Sequence, residues 1–214
     1  MTRYRGLWRL VVTVMAVLLA LSGTAAASTL VSDLNAMPLW QGTQQFNATS
    51  GVRTLQVDAE YAVYAPGNYG LSADPSGGTE FVYAYQVFND LLGNAPVSSF
   101  SVGLDPTANV ANIGSDATSG TSGGTAPTAS VFTGSPPTSA VWYFFNDTID
   151  PPPANEYSTV LLFTSPYGPQ WAPATVMNGG LGNTRDLPSP TPEPATMAFL
   201  ALGGVGLLLG RKRQ

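Results

Sequence analysis

The chain has 214 residues and contains neither Cys nor His. That composition excludes disulfides, thiolate metal sites, thiol nucleophiles and any histidine acting as base or ligand. Residues 28–191 hold two arginines against twelve acids, a net charge of −10. Such a surface repels phosphate backbones and argues against a nucleic-acid partner.

In chain order, the first segment reads as a signal peptide, 1–27. Arg3, Arg5 and Arg9 precede the apolar run 10–21, and a small-residue A-x-A site follows. A 12-residue run makes a helix only about 18 Å long, too short for about 30 Å of hydrocarbon. Cleavage is expected after Ala27, with Ala25 and Ala27 flanking the cut and Ser28 as the new first residue. No Cys is present to carry a lipid.

The body, 28–184, has a period of two. In 54–64, Leu55, Val57, Ala59, Tyr61 and Val63 share one face, and Gln56, Asp58 and Glu60 share the other, which predicts a half-buried strand. Residues 80–89 are apolar on both faces and predict a central strand. Residues 99–104 alternate, and 140–145 and 158–165 are dense and β-rich. Further strands are expected at 29–34, 110–113 and 172–177. No helical stretch of useful length is evident, and Lys is absent from the body. Short strands separated by Gly, Pro, Asn and Asp predict an all-β fold, a single antiparallel β-sandwich of immunoglobulin-like or jelly-roll type.

Residues 114–137 are rich in Ser, Thr and Gly and read as a loosely ordered loop. Thr118, Thr121, Thr125 and Thr128 do not repeat at strand spacing, so they do not form a regular ice-binding face. A glycosidase would need two carboxylates about 5–10 Å apart. Glu60 and Glu80 are the candidates, although Glu60 reads as a charge on a solvent-facing strand surface. Asp147 and Asp150 frame a turn with Asn146 adjacent and Glu156 nearby. Oxygen ligands of this kind suit Ca²⁺, but no D-x-D-x-D-G loop is present, and Asp and Asn favour turns on their own account. Asn47-Ala-Thr49 and Asn146-Asp-Thr148 match the glycosylation sequon. Trp40, Trp142, Trp171 and the tyrosines could form a sugar-stacking platform; Trp142 reads as core, and Tyr167 and Trp171, read as lying in one loop, are the better ligand-stacking candidates.

The C-terminal region begins as a Pro-rich linker, 185–194, in which Pro188, Pro190, Pro192 and Pro194 form an extended stem. Residues 195–210 carry no charge and would span about 24 Å as a helix, predicting a marginal transmembrane segment. The basic end 211–214 follows, with Arg211, Lys212 and Arg213 as a stop-transfer cluster held on the cytoplasmic side. Within 195–210, Gly206 and Gly210 also fit a G-x-x-x-G pattern.

Pro192-Glu193-Pro194, the apolar Leu/Ala/Gly-rich run and the terminal basic cluster, in that order, resemble the PEP-CTERM sorting signal of Gram-negative bacteria, a tail also associated with ice-binding proteins. The resemblance covers about 25 residues. It implies recognition by a membrane-embedded exosortase, cleavage near the motif, and delivery to the surface or the extracellular matrix. The implied partners are the general secretion machinery, the exosortase, the membrane before processing, and exopolysaccharide. The sequence therefore points to an exported, non-enzymatic structural or adhesive protein, without a required cofactor. A carbohydrate-binding module and a secreted glycosidase remain as alternatives.

Overall fold

The computed structural model describes residues 29–70, 73–153 and 156–192. The expected signal peptide and its cleavage site, with Ala25, Ala27 and Ser28, and the tail with Glu193, Pro194, the 195–210 segment, Arg211, Lys212 and Arg213, lie outside the described residues.

A 3₁₀ turn, Leu30–Ser32, precedes ten strands: β1 Gln41–Ser50, β2 Arg53–Tyr64, β3 Phe81–Asn89, β4 Ser99–Gly103, β5 Ala111–Asp116, β6 Ala129–Thr133, β7 Ser139–Tyr143, β8 Val160–Ser165, β9 Pro169–Asn178 and β10 Leu181–Pro190. They form two five-stranded sheets, β1-β2-β3-β8-β5 (sheet I) and β10-β9-β4-β7-β6 (sheet II). Every ladder is antiparallel. The fold is thus all-β, as the period-two patterning predicts. If β1 and the β6–β7 hairpin are set aside, the remaining strands, lettered A to G in chain order, lie A-B-E-D in sheet I and G-F-C in sheet II.

One core joins the inner faces. Leu55, Val57 and Ala59 of β2, Tyr83, Tyr85 and Val87 of β3, and Leu161 and Phe163 of β8 meet Phe100, Val102, Trp142, Val176 and Leu187 of sheet II. The alternation read in β2 holds for the core: Leu55, Val57 and Ala59 are buried, with Gln56, Asp58 and Glu60 between them half-buried. Rings bridge the layers, with Tyr85 5.7 Å from Phe100 and Trp142 6.2 Å from Phe163. The Trp142 indole is satisfied in this setting, because Nε1 donates to the Gly114 carbonyl at 2.8 Å.

A second cluster covers the outer face of sheet I. Leu30, Ala36 and Tyr69 pack over Ala62, Tyr64, Val82, Ala84, Val160 and Leu162. This cover explains why β3 and β8 are apolar on both faces. Two carboxylates tie it down: the Tyr64 hydroxyl donates to Asp33 at 2.9 Å, and the Tyr69 hydroxyl to Asp116 at 2.8 Å. The two tyrosine rings meet edge-on at 4.9 Å.

Three sequence expectations need correction. The strand expected at 29–34 is a 3₁₀ turn, because its apolar side chain Leu30 packs down onto sheet I rather than alternating within a ladder. Residues 114–137 are not simply a loose loop, since 114–116 belong to β5 and 129–133 to β6. The fully buried Gln86 side chain fixes their middle, with Nε2 donating to the Thr121 and Ser158 carbonyls and Oε1 accepting from the Thr121 amide. The Pro-rich linker also starts later than residue 185, because β10 runs through Pro190. An edge strand accommodates Pro188 and Pro190, since a proline nitrogen there can face away from the ladder.

Candidate functional site

All ten strands bring their connections to two ends of the body, and the chain leaves at the end marked by Pro190. The last strand is held firmly there. The buried Tyr85 hydroxyl donates to the Pro188 carbonyl, the Ser189 hydroxyl donates to the Gly103 carbonyl at 2.6 Å, and the Thr191 amide donates to the Gly168 carbonyl at 3.2 Å. Pro192, the first residue of the predicted sorting motif, is therefore only two residues beyond the sheet.

Beside that exit sits an aromatic corner. Trp171 lies within β9 and pairs with Pro188, two pairs inward from Pro169 and Pro190. It is not in a loop with Tyr167, as the sequence suggested, because the strand begins at Pro169. Among the described residues, the rings that meet Trp171 are Trp40, at 5.3 Å, and Tyr61, edge-on at 5.8 Å. Tyr167 stays in the β8–β9 connection, where its carbonyl accepts the Tyr83 hydroxyl at 2.8 Å. Trp171 is 52% exposed, and Leu39, which precedes Trp40 in the chain, is 86% exposed. Tyr61 is half-buried, and burial raises its hydroxyl pKa. A Cβ on Gly42 would lie 2.7 Å from the Tyr61 hydroxyl, so only glycine admits this packing. Trp40 was among the aromatics the sequence offered for a stacking platform, and it does meet Trp171, but Tyr61 was not singled out as their partner. Tyr61 carried a usable signal in its place on the inward-facing side of β2, but nothing local links β2 to β9.

The acidic candidates do not assemble. Glu60 pairs with Gln86 in the β2–β3 register, and Glu80 lies six residues before Gln86, about 20 Å along the strand direction. That separation removes the Glu60–Glu80 pair as a glycosidase dyad, which requires about 5–10 Å. Nor is Glu60 a plain solvent-facing charge. Burial raises its pKa against hydrogen bonds from the Leu30 and Val31 backbone, and its Oε2 is buried without a hydrogen-bond partner. It lies under the N-terminal segment that covers sheet I.

Asp150 accepts the Thr148 hydroxyl at 2.7 Å. Ile149 between them is fully buried and bridges to Val97, while Asp147 is exposed. Among the described residues, no group of three or more acidic side chains is gathered as a metal site. Much of the acidity instead builds turns. Asp33, Asp74, Asp90, Asp105 and Asp116 each accept the backbone N–H two residues on, the hydrogen bond that makes Asp a turn former. Thr107 holds Asp105 below the usual carboxylate range through its hydroxyl and its amide.

Residues 190–214 match the family model of the PEP-CTERM protein-sorting motif. The tail is a PEP-CTERM sorting signal. The match begins at Pro190, the last residue of β10, so the end of the fold and the start of the signal coincide. A PEP-CTERM motif marks a protein for exosortase processing and for export to the cell surface or extracellular space. No curated protein and no solved structure matches the chain.

Proposed function

We propose that this is a structural or adhesive protein of the bacterial surface or extracellular matrix, non-enzymatic and associated with exopolysaccharide. In this reading the body is an immunoglobulin-like β-sandwich with an added N-terminal strand and an inserted β6–β7 hairpin. It is carried out by a cleaved signal peptide and held briefly at the inner membrane by residues 195–210. The observation that carries the reading is the PEP-CTERM match at 190–214, directly abutting a folded all-β body. The A-B-E-D and G-F-C strand orders support the immunoglobulin-like assignment. The separation of Glu60 from Glu80 supports a non-catalytic role.

The test is mass spectrometry of the native protein from surface and medium fractions of cells with and without an exosortase. Processing near Pro192–Pro194 in the first cells only is the expected result. Changing Pro192, Glu193 and Pro194 to Ala should leave an unprocessed, membrane-bound form. A surface protein that still carries 195–214 would overturn the sorting reading. Retention of the processed protein on the producer's own exopolysaccharide tests the matrix association.

A further inference from the structure

We propose that the corner formed by Leu39, Trp40 and Trp171 is a membrane-docking surface that seats the folded body on the bilayer interface while the tail is still attached. This rests on the reading of 195–210 as a transient anchor.

The position of the corner carries the argument. The sheet hydrogen bonds hold the chain as far as Thr191. Beyond Pro190, the last residue of β10, only four residues, 191–194, precede the uncharged run. At about 3.1 Å per residue in an extended proline-rich stem, they span about 12 Å. An inserted tail therefore leaves the exit end of the body no further from the bilayer than that. Trp171 lies at that end, paired with Pro188 only two residues before Pro190, and Trp40 stacks beside it.

The chemistry suits the same occupant. Trp and Tyr favour the membrane–water interface, where an apolar ring body and a polar N–H or O–H are both accommodated. Leu39 and Trp171 are among the large apolar side chains left exposed, and prolines 169 and 188 flank Trp171 in the ladder. Asp33, the acid nearest in sequence to Leu39, is engaged by the Tyr64 hydroxyl. The body as a whole carries ten net negative charges, so attraction to anionic lipid cannot drive the contact. Apolar insertion by a few side chains is weak in free solution. It becomes effective here because the anchor raises the local concentration of bilayer, as any tether does. Docking would fix the orientation in which Pro192–Pro194 meets a membrane-embedded protease, and release of the tail would also release the body.

The test uses the exported form, Ser28 to Gln214 with the tail retained, so that Trp8 and the signal peptide contribute neither fluorescence nor membrane affinity. It is reconstituted into phosphatidylcholine vesicles, with flotation, iodide quenching and quenching by doxyl-labelled lipid as readouts. Trp40→Phe and Trp171→Phe assign the signals, and the fully buried Trp142 serves as the internal reference. The expected result is that the chain floats with the vesicles, that Trp171 becomes several-fold less accessible to iodide, and that shallow doxyl labels quench it. Leu39→Ser with Trp171→Ser should restore iodide access without stopping flotation. Leu39→Ser alone alters a side chain so exposed that the fold cannot depend on it, and it should give a partial effect. Replacing half the phosphatidylcholine with phosphatidylglycerol should not strengthen the contact. A chain that floats with Trp171 still open to iodide overturns the docking surface and leaves the anchor standing. If soluble polysaccharide then closes Trp171 to iodide, the corner is a sugar platform instead. A chain that does not float overturns the anchor, and the docking surface with it.

Discussion

The two sheets share one core but treat their outer faces in opposite ways. The outer face of sheet I is roofed by Leu30, Ala36 and Tyr69, and the roof is tied down by Asp33 and Asp116. Among the described residues, no apolar cluster like that roof covers the outer face of sheet II. One row across it reads Thr184, Thr175, Ser101, Val141 and Val131, and the next reads Gly182, Met177, Ser99, Tyr143 and Ala129. Neither row contains a charge. Sheet I is therefore the middle layer of three and depends on packing from both sides, whereas the core cluster of sheet II among the described residues lies on its inner side. Substitutions at matched depth on the two outer faces should have very different effects.

The largest expected effect sharpens where the fold ends. A chain cut after Arg185 loses Leu187 and leaves the buried Tyr85 hydroxyl without its Pro188 acceptor. Lost burial and an unsatisfied donor together should cost about 3–5 kcal/mol relative to a chain cut after Pro192. Urea denaturation of the two forms measures the difference, and equal midpoints would show that β10 is dispensable.

Next comes the roof. Leu30→Ala should destabilise by about 2–4 kcal/mol, as large-to-small changes at buried sites do. A loss of only a few tenths would mean that the 3₁₀ turn rests on the sheet without supporting it. Tyr69→Phe, which removes the hydrogen bond to Asp116, should cost about 1 kcal/mol.

The roof should also govern the pH response, through two acids of opposite sign. Hydrogen bonds from Ser119, Thr118 and Tyr69 outweigh burial and hold the Asp116 carboxyl below its ordinary value. Its contribution is present above the unfolded pKa of about 4 and is lost as pH falls through the lower folded value. Glu60 is shifted the other way, mainly by burial. Its charge opposes folding above the ordinary Glu pKa, and protonation relieves that penalty as pH falls. Glu60→Gln should therefore raise the melting temperature at neutral pH and leave it unchanged in acid, while Asp116→Asn should flatten the acid limb. The same shift at pH 3 and pH 7 for either variant would contradict this assignment. The smallest effect belongs to the outer face of sheet II, where Thr175→Val should change stability by no more than about 0.5 kcal/mol.

What the sequence revealed follows the same division. The strands that feed the shared core, such as β2 with its Leu55-Val57-Ala59 alternation, were legible because one buried face leaves a period-two trace. β1 was missed because it is an edge strand in which Phe46 alone is buried. β10 was missed because Pro188 and Pro190 resemble a linker. The 114–137 region read as loose because its order comes from Gln86, far away in sequence. The sorting motif was legible, since its recognition rests on residues in linear order. The Trp40–Trp171 corner was not, because it depends on β1 and β9 meeting in space.

The prolines of β10 have a consequence beyond ending the fold. A sheet edge with free amides is a template on which another copy can add a strand. Pro188 and Pro190 remove two of those donors from the last strand, next to the point where the tail departs. Many copies held by their tails in one membrane would be crowded with the same edge at the same height. The missing donors guard against edge-to-edge fibre growth wherever copies are crowded.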